Sequence, residues 1–294
     1  WARKAPLVLV MATLFEYRSI SVEEWRLLAL SAQWNDDVQR QVLDIVQAQS
    51  PAHHPQTVEL RFTDGAVEKE LFVKIFHRSG SLKAFKDQFR RSQAFNSWHQ
   101  GLLLDGAGFK APLAVALGAQ AGWRVARREF VVSEKINGLA LPEYLRSEFC
   151  GAEGLRYKRE HIQSLARLIR RFHAAGFVHG DLLAGNIFIS NGEFYFMDND
   201  RTRQYRTWSW QTLWKRNLIQ LNRQPLPGIT LQDRLRFLRA YLNVTRLSAK
   251  NKRCARWLEN RTRLRRKECD GADPSISFRQ LMRWSPAIDG ARER

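Results

Sequence analysis

The spacing of hydrophobic positions changes several times along the chain. Between Thr57 and Phe76 it alternates: TVELRF (57–62) and ELFVKIF (70–76) flank an Asp64-Gly65 turn signal, the pattern of a β-hairpin. From Ser81 to Leu104 it lengthens to a helical repeat, with Phe85, Phe89, Phe95, Trp98 and Leu102 near one side. Residues 113–118 and 124–133 return to strand. IQSLARLIRRFHA (162–174) predicts an amphipathic helix ended by Gly176. Two short apolar runs, 187–189 and 194–197, flank Asn191-Gly192 and predict a second hairpin. Beyond Trp208 the pattern is helical, broken at QPLPG (224–228).

The first fifty residues have the look of an appendage. The apolar run at 5–15 predicts a buried strand or helix rather than a targeting segment, being roughly half of what a bilayer crossing needs. Ser21-Val22-Glu23-Glu24 predicts a capping box that opens a helix through Trp25, Leu27, Leu28 and Leu30. Asn35 or Asp36 caps a second helix through Val46, and SPAHHP (50–55) breaks the pattern. Four segments follow: a helical appendage (1–52), a strand-rich lobe (53–136), a helical lobe (137–245) and a basic extension (246–294). Strands, helix, strands, then helix, hairpin and helices predict an α+β fold of two lobes, a small β-rich N-lobe and a helical C-lobe.

Composition narrows the function classes. Hydrophobic residues at 44% and charged residues at 26% exclude wholesale disorder. The three cysteines form no CxxC pair and read as reduced thiols. Lysine and arginine outnumber acids 48 to 29, a net charge of +19 that attracts nucleic acid, anionic lipid or phosphorylated substrates. Ten of those cations lie in 246–267 with one glutamate, beside Leu247, Cys254, Trp257 and Leu264. A basic amphipathic helix of this kind suits an anionic membrane surface or a phosphate-rich glycolipid, with RNA binding as its rival.

The chemistry concentrates in HGDLLAGNIFISNGEFYFMDND (179–200). Here H-x-D-x-x-x-x-N (His179, Asp181, Asn186) precedes a hairpin that ends in an acid, Asp198. Phosphoryl transfer needs one carboxylate to orient the acceptor hydroxyl and take its proton. It also needs hard oxygen ligands for Mg²⁺ on the nucleotide phosphates. Asp181 suits the first task, and Asn186 and Asp198 suit the second, because a two-residue turn returns Asp198 beside Asn186. Lys74, inside the apolar strand LFVKIF, is costly to bury without an anion and fits a nucleotide phosphate. A nucleic-acid-binding protein, suggested by charge alone, leaves this spacing without an explanation.

Over residues 57–245 the chain resembles the bacterial lipopolysaccharide kinases, which act on Kdo or heptose of the inner core, within the protein-kinase-like superfamily. The resemblance rests on TVELRFTDGAVEKELFVKIF, RRSQAFNSW (90–98), GFKAP (108–112), FHAAGFVHGDLLAGNIFI, MDNDRTR (197–203) and LQDRLRFLRAYL (231–242). It implies ATP- and Mg²⁺-dependent transfer to a sugar hydroxyl of the lipopolysaccharide core glycolipid, at the cytoplasmic face of the bacterial inner membrane. In that resemblance Lys74 matches the phosphate lysine, Asp181 the base, and Asn186 and Asp198 the metal ligands. Glu134 to Ile136 matches the hinge whose backbone pairs with adenine. The sequence departs from the wider kinase pattern in several places, among them the absence of an APE activation segment after Asp198. No glutamate lies between Ser81 and Asp105 to clamp Lys74, and no glycine-rich phosphate loop is visible. Gly180 stands where an arginine is usual, and Asn199-Asp200 stands where Phe-Gly is usual. A soluble small-molecule or protein kinase, or a nucleotide-binding pseudokinase, is the alternative.

Overall fold

The computed structural model describes residues 17–50, 55–64, 67–78, 92–121, 127–147, 151–206, 213–226 and 228–271. The apolar run at 5–15 and the first part of the helix predicted from Ser81 lie outside them. Two compact units are formed. One comprises the chain up to Ile136 together with Asn199–Arg201; the other comprises Asn137–Asp198 and the chain from Thr202 onward.

The first unit is built on an antiparallel sheet of β1 (Tyr17–Val22), β2 (Trp25–Leu30), β3 (Gln56–Asp64), β4 (Val67–Arg78), β5 (Ala114–Gln120) and β6 (Arg127–Glu134). Its spatial order is β1-β2-β5-β6-β4-β3. The helix expected from Trp25 is therefore a strand, and the 1–52 segment is no helical appendage over its described part. The physical reason is a period of two: Trp25, Leu27 and Ala29 are buried, and Arg26 between them is exposed. The expected capping box is instead a hairpin turn, with Glu23 in the left-handed region (φ 46) and Val22 paired with Trp25.

The two faces of this sheet have different partners. Helix α1 (Asp36–Ala48) is capped by Asn35, whose side chain accepts from the Val38 N–H. Its Val38, Val42 and Val46 pack with Trp25, Val73, Ile75, Phe130 and Val132. Fully burying one such aliphatic side chain stabilises by ~1.5–3 kcal/mol. On the other face Phe76 and Val131 pack with Ala94, Trp98 and Leu102 of α2 (Gln93–Gly106), which Ser92 caps. The turn Asn199–Arg201 also packs on α2.

In the second unit β7 (Leu139–Ala140) leads into α3 (Leu141–Ser147) and α4 (Gly151–Ala174). After α4 come β8 (Phe177–Val178), the hairpin β9 (Ile187–Ser190) and β10 (Glu193–Phe196), and β11 (Arg203–Gln204). Helix α4 stops at Gly176, where φ is +82 and a Cβ would lie 2.3 Å from the Tyr205 carbonyl oxygen; only glycine fits. Phe172 on α4 meets Phe177 and Phe196, with ring centroids 5.4 and 4.5 Å apart, and so seats the hairpin on the helix.

Three helices complete this unit: α5 (Leu213–Arg223), α6 (Leu231–Leu242) and α7 (Ala249–Asp270). Most of the basic segment 246–267, set apart in the sequence as an extension, forms α7, which packs on α5. Leu258, Thr262 and Arg266 are buried, Asn222 reaches Thr262, and Arg223 pairs with Asp270 at 3.3 Å. Helix α6 opens with a capping box between Thr230 and Asp233. Asp233 also receives Lys158 of α4 at 3.0 Å, and Arg236 pairs with it too.

That ion pair is nearly dry on both sides, with 9% and 5% side-chain exposure. Burial pushes the Asp233 carboxyl up, but the Thr230 N–H, the Lys158 ammonium and the Thr230 hydroxyl outweigh it, and the net direction is below the ordinary 3.8. Asp233→Asn leaves Lys158 buried without its counter-charge, so at neutral pH it should lower the free energy of urea unfolding by roughly 3 kcal/mol. Since the folded carboxyl titrates below the unfolded one, the difference should persist down to the ordinary carboxylate range. It should then close as the pH falls through the folded value.

Candidate active site

The motif acids and amide are brought together by the register of one hairpin. Ile187 pairs with Phe196, and the Met197 N–H donates to the Asn186 carbonyl at 2.9 Å. Asp198 therefore emerges one residue beyond the ladder, beside Asn186, with its backbone in the left-handed region (φ 54). The turn that makes this possible is Asn191-Gly192, both with positive φ (50 and 75), as a two-residue hairpin with the right twist requires. Asn186 in turn donates its Nδ2 to the Asp181 carbonyl at 2.9 Å, which leaves its Oδ1 as the oxygen not engaged by that bond.

His179 holds the loop from inside. Its ring is fully buried. The Asp181 N–H donates to Nδ1 at 3.1 Å, so Nδ1 carries no hydrogen and Nε2–H is the donor to the Met197 carbonyl at 2.9 Å. Burial lowers the pKa of this imidazole, against the Met197 carbonyl and the charges of Asp198 and Asp181. One neutral ring thus ties the Asp181 backbone to the residue preceding Asp198.

A second set of side chains, which the sequence did not single out, lies beneath this loop. Asn217 on α5 accepts at Oδ1 from the His179 N–H (3.0 Å) and from His173 Nε2 (3.0 Å). Its Nδ2 donates to the His179 carbonyl and to Gln220 Oε1 (3.1 Å). Gln220, one turn along α5, donates its Nε2 to the Gly180 carbonyl (3.1 Å) and to Asp181 Oδ1 (3.2 Å). His173 Nδ1 bonds the Tyr241 hydroxyl of α6 at 2.8 Å.

The directions of these bonds are not optional. The backbone N–H of His179 can only donate, which makes Oδ1 of Asn217 the acceptor and its Nδ2 the donor. Gln220 must then accept at Oε1 and donate from Nε2, and His173 must donate from Nε2 and accept from Tyr241 at Nδ1. Burial lowers the His173 pKa to about 4, so it too is neutral. Asn217 and Gln220 were missed because polar positions on an amphipathic helix ordinarily face water. The available signal was their i, i+3 spacing on the same turns as Leu218 and Leu221, which are also buried.

The remaining candidates belong to the first unit. Lys74 lies on β4 opposite Val131 of β6 and shares a sheet face with Phe72 and Phe76, its ammonium 5.4 Å from the Phe76 ring centroid. The α2 residues turned to that face are Ala94, Trp98 and Leu102. Glu134 ends β6: its N–H donates to the Leu113 carbonyl, and the next N–H, from Lys135, donates to the Glu70 carbonyl. Ile136 follows at the end of this unit.

Among the described residues no group of three or more His, Cys, Asp or Glu side chains could hold a metal alone. The two residues that flank the hairpin, Asn186 before its first strand and Asp198 after its second, offer an amide oxygen and a carboxylate, both hard oxygen donors. They fit Mg²⁺ whose other ligands come from phosphates and water.

A model of the lipopolysaccharide kinase (Kdo/WaaP) family matches residues 56–241. Among solved structures, that of WaaP in complex with acyl carrier protein is similar, with a TM-score of 0.56 and 21% sequence identity over 81% of this chain and 98% of that one. No curated protein matches in sequence. The likeness confirms the expected fold, kinase-like with two lobes.

The network makes a stability prediction independent of turnover. Asn217→Leu keeps the branched side-chain skeleton but leaves four buried groups, the His179 N–H and C=O, His173 Nε2–H and Gln220 Oε1, without a partner. At about 1–3 kcal/mol per stranded group, partly relieved by relaxation, the urea midpoint should drop by the equivalent of at least roughly 3 kcal/mol.

Proposed function

Because the chain belongs to the lipopolysaccharide kinase (Kdo/WaaP) family, we propose that it transfers the γ-phosphoryl group of ATP to a Kdo or heptose hydroxyl of the inner core. Membership makes it a phosphotransferase with an alcohol acceptor. The nucleotide, sugar and metal are our inference, and the observation that carries it is Asp181, Asn186 and Asp198 gathered by one loop and hairpin.

Asp181 orients the acceptor hydroxyl and takes its proton as the phosphoryl group moves. Lys74 holds the α- and β-phosphates. The N–H groups of Glu134 and Lys135 are committed to Leu113 and Glu70, so the adenine edge is met by the Glu134 carbonyl and the Ile136 backbone. Asn186 Oδ1 and the Asp198 carboxylate would hold Mg²⁺, which when bound neutralises charge on the nucleotide phosphates. A pseudokinase reading is favoured by one observation: α2 offers the sheet Ala94, Trp98 and Leu102 and contains no glutamate.

Two partners are part of the proposal. The structural relative was solved with acyl carrier protein, and we extend that partner to this chain. The second unit supports it with a cavity of about 520 Å³ lined by Leu141, Leu145, Leu165, Ile189, Leu218 and Leu238, apolar enough for an acyl chain. The other partner is the anionic inner face of the inner membrane, where the glycolipid acceptor lies. No helix among the described residues is long and apolar enough to cross a membrane. Helix α7 supports surface binding instead: Lys250, Arg253, Trp257, Arg261 and Leu264 share its outward face, with Trp257 and Leu264 42% and 46% exposed. Lys215 lies over the Trp257 ring at 5.1 Å.

The direct test is mass spectrometry of lipid A–core from cells with and without the gene, seeking one added phosphate per molecule. Asp181→Asn should reduce transfer by roughly 1,000-fold or more while ATP still binds, since proton transfer and orientation are both lost. Asp198→Ala should abolish the Mg²⁺ dependence of nucleotide binding in a calorimetric titration. Wild type that binds ATP yet transfers to no acceptor would leave the pseudokinase standing.

Vesicle sedimentation tests the membrane surface. Arg253→Gln with Arg261→Gln should weaken binding to anionic vesicles by roughly tenfold or more, at about 1 kcal/mol per cation. Lys252→Gln with Arg256→Gln removes the same charge from the cavity-lining side of α7 and should weaken it far less. Equal losses would mean that total charge, and not this face, does the binding.

A further inference from the structure

We propose that Gln220 is a positioning residue for Asp181, an inference that rests on Asp181 being the base. An aspartate carboxylate turns easily about its last torsion, whose energy profile is broad. Its two oxygens are interchangeable unless something outside distinguishes them. In this protein Gln220 does so, by donating from one amide nitrogen to Asp181 Oδ1 (3.2 Å) and to the Gly180 carbonyl (3.1 Å). The same NH₂ group bridges the carboxylate and the backbone preceding it, which fixes the plane of the acid and leaves Oδ2 to the acceptor hydroxyl.

A glutamine is a poor clamp by itself, because its three torsions carry considerable entropy. Here its other end is held: Oε1 accepts from Asn217 Nδ2 (3.1 Å), and Asn217 is saturated by His179 and His173. The hydrogen positions follow from the backbone N–H of His179, so Gln220 cannot flip without setting its oxygen against two acceptors. Charge matters as well. A lysine in this place would compete with the acceptor hydroxyl for the carboxylate's charge, whereas the neutral amide aligns the acid and leaves it anionic. Ionisable groups that feel the Asp181 charge include neutral His179 below and Arg265 of α7. Arg265 is raised mainly by its Glu268 partner.

Three variants on the glycolipid acceptor with ATP test the assignment. Gln220→Met fills the same space without donating and should lower kcat by roughly 10- to 100-fold with KM for ATP unchanged. Gln220→Glu keeps an oxygen for Asn217 but turns a second carboxylate toward Asp181, and should fall at least as far. If Gln220 only supports Asn217, Gln220→Glu should keep wild-type kcat, and that result overturns the proposal even where Gln220→Met does not fold. Wild-type kcat in Gln220→Met overturns it equally. Asp181→Asn run in parallel separates the two ideas: full activity there removes the base itself, whereas loss there with normal Gln220 variants removes only the positioning role.

Discussion

The loop 179–186 depends on one side chain buried beneath it. Asn217 uses all four of its hydrogen-bonding capacities, two accepted and two donated, inside a helix face that excludes water. A buried amide that is fully satisfied stabilises its surroundings in one arrangement, and the same amide with a single partner missing destabilises them. Because its partners include the N–H and the C=O of His179, the loop cannot shift by even one bond without stranding a polar group. The hairpin that carries Asn186 and Asp198 is tied to the same residue through the imidazole of His179 and the Met197 carbonyl. The positions of all three motif residues in this unit thus descend from one helix position.

How much of this could be read from the chain varies with the kind of signal. The 179–200 motif was legible because its constraints are local: an Asn-Gly turn, two short apolar runs and an acid after the second fix a register that the structure repeats. The hairpin of β3 and β4 was legible for the same reason. The strand β2 was not, because WRLLAL has apolar residues on both faces, and a Ser-x-x-Glu signal before it matched a helix start. What decided was non-local, the pairing of β2 with β5 some ninety residues later. Asn217, Gln220, His173 and Tyr241 were illegible in the same sense. Each is ordinary in its own helix, and only the packing of α4, α5 and α6 turns them inward.

Helix α7 separates composition from geometry in another way. Its cations are similar on paper, yet Arg266 is buried, Arg263 pairs with Glu259, and Arg253 and Arg261 face outward. Burial depresses the Arg266 guanidinium, against Asp270. A count of charges along a sequence therefore overstates what any one surface can offer, and the helical phase of each arginine decides whether it supports the fold or meets a partner.

The two histidines of the network also define how the site responds to acid. His179 lies below the ordinary imidazole value, and His173 is lowered to about 4. Histidine is commonly the side chain through which a protein senses the interval between neutrality and mild acidity. In this protein burial withdraws His173 from that duty: its proton sits where the hydrogen bonds assign it, and acidification to about pH 5 leaves the folded ring uncharged. The scaffold is in this respect a poor acid sensor. Its response to acid is one of stability instead: a ring kept neutral in the fold but free to take a proton once unfolded shifts the balance toward the unfolded chain as the pH falls below the ordinary imidazole value.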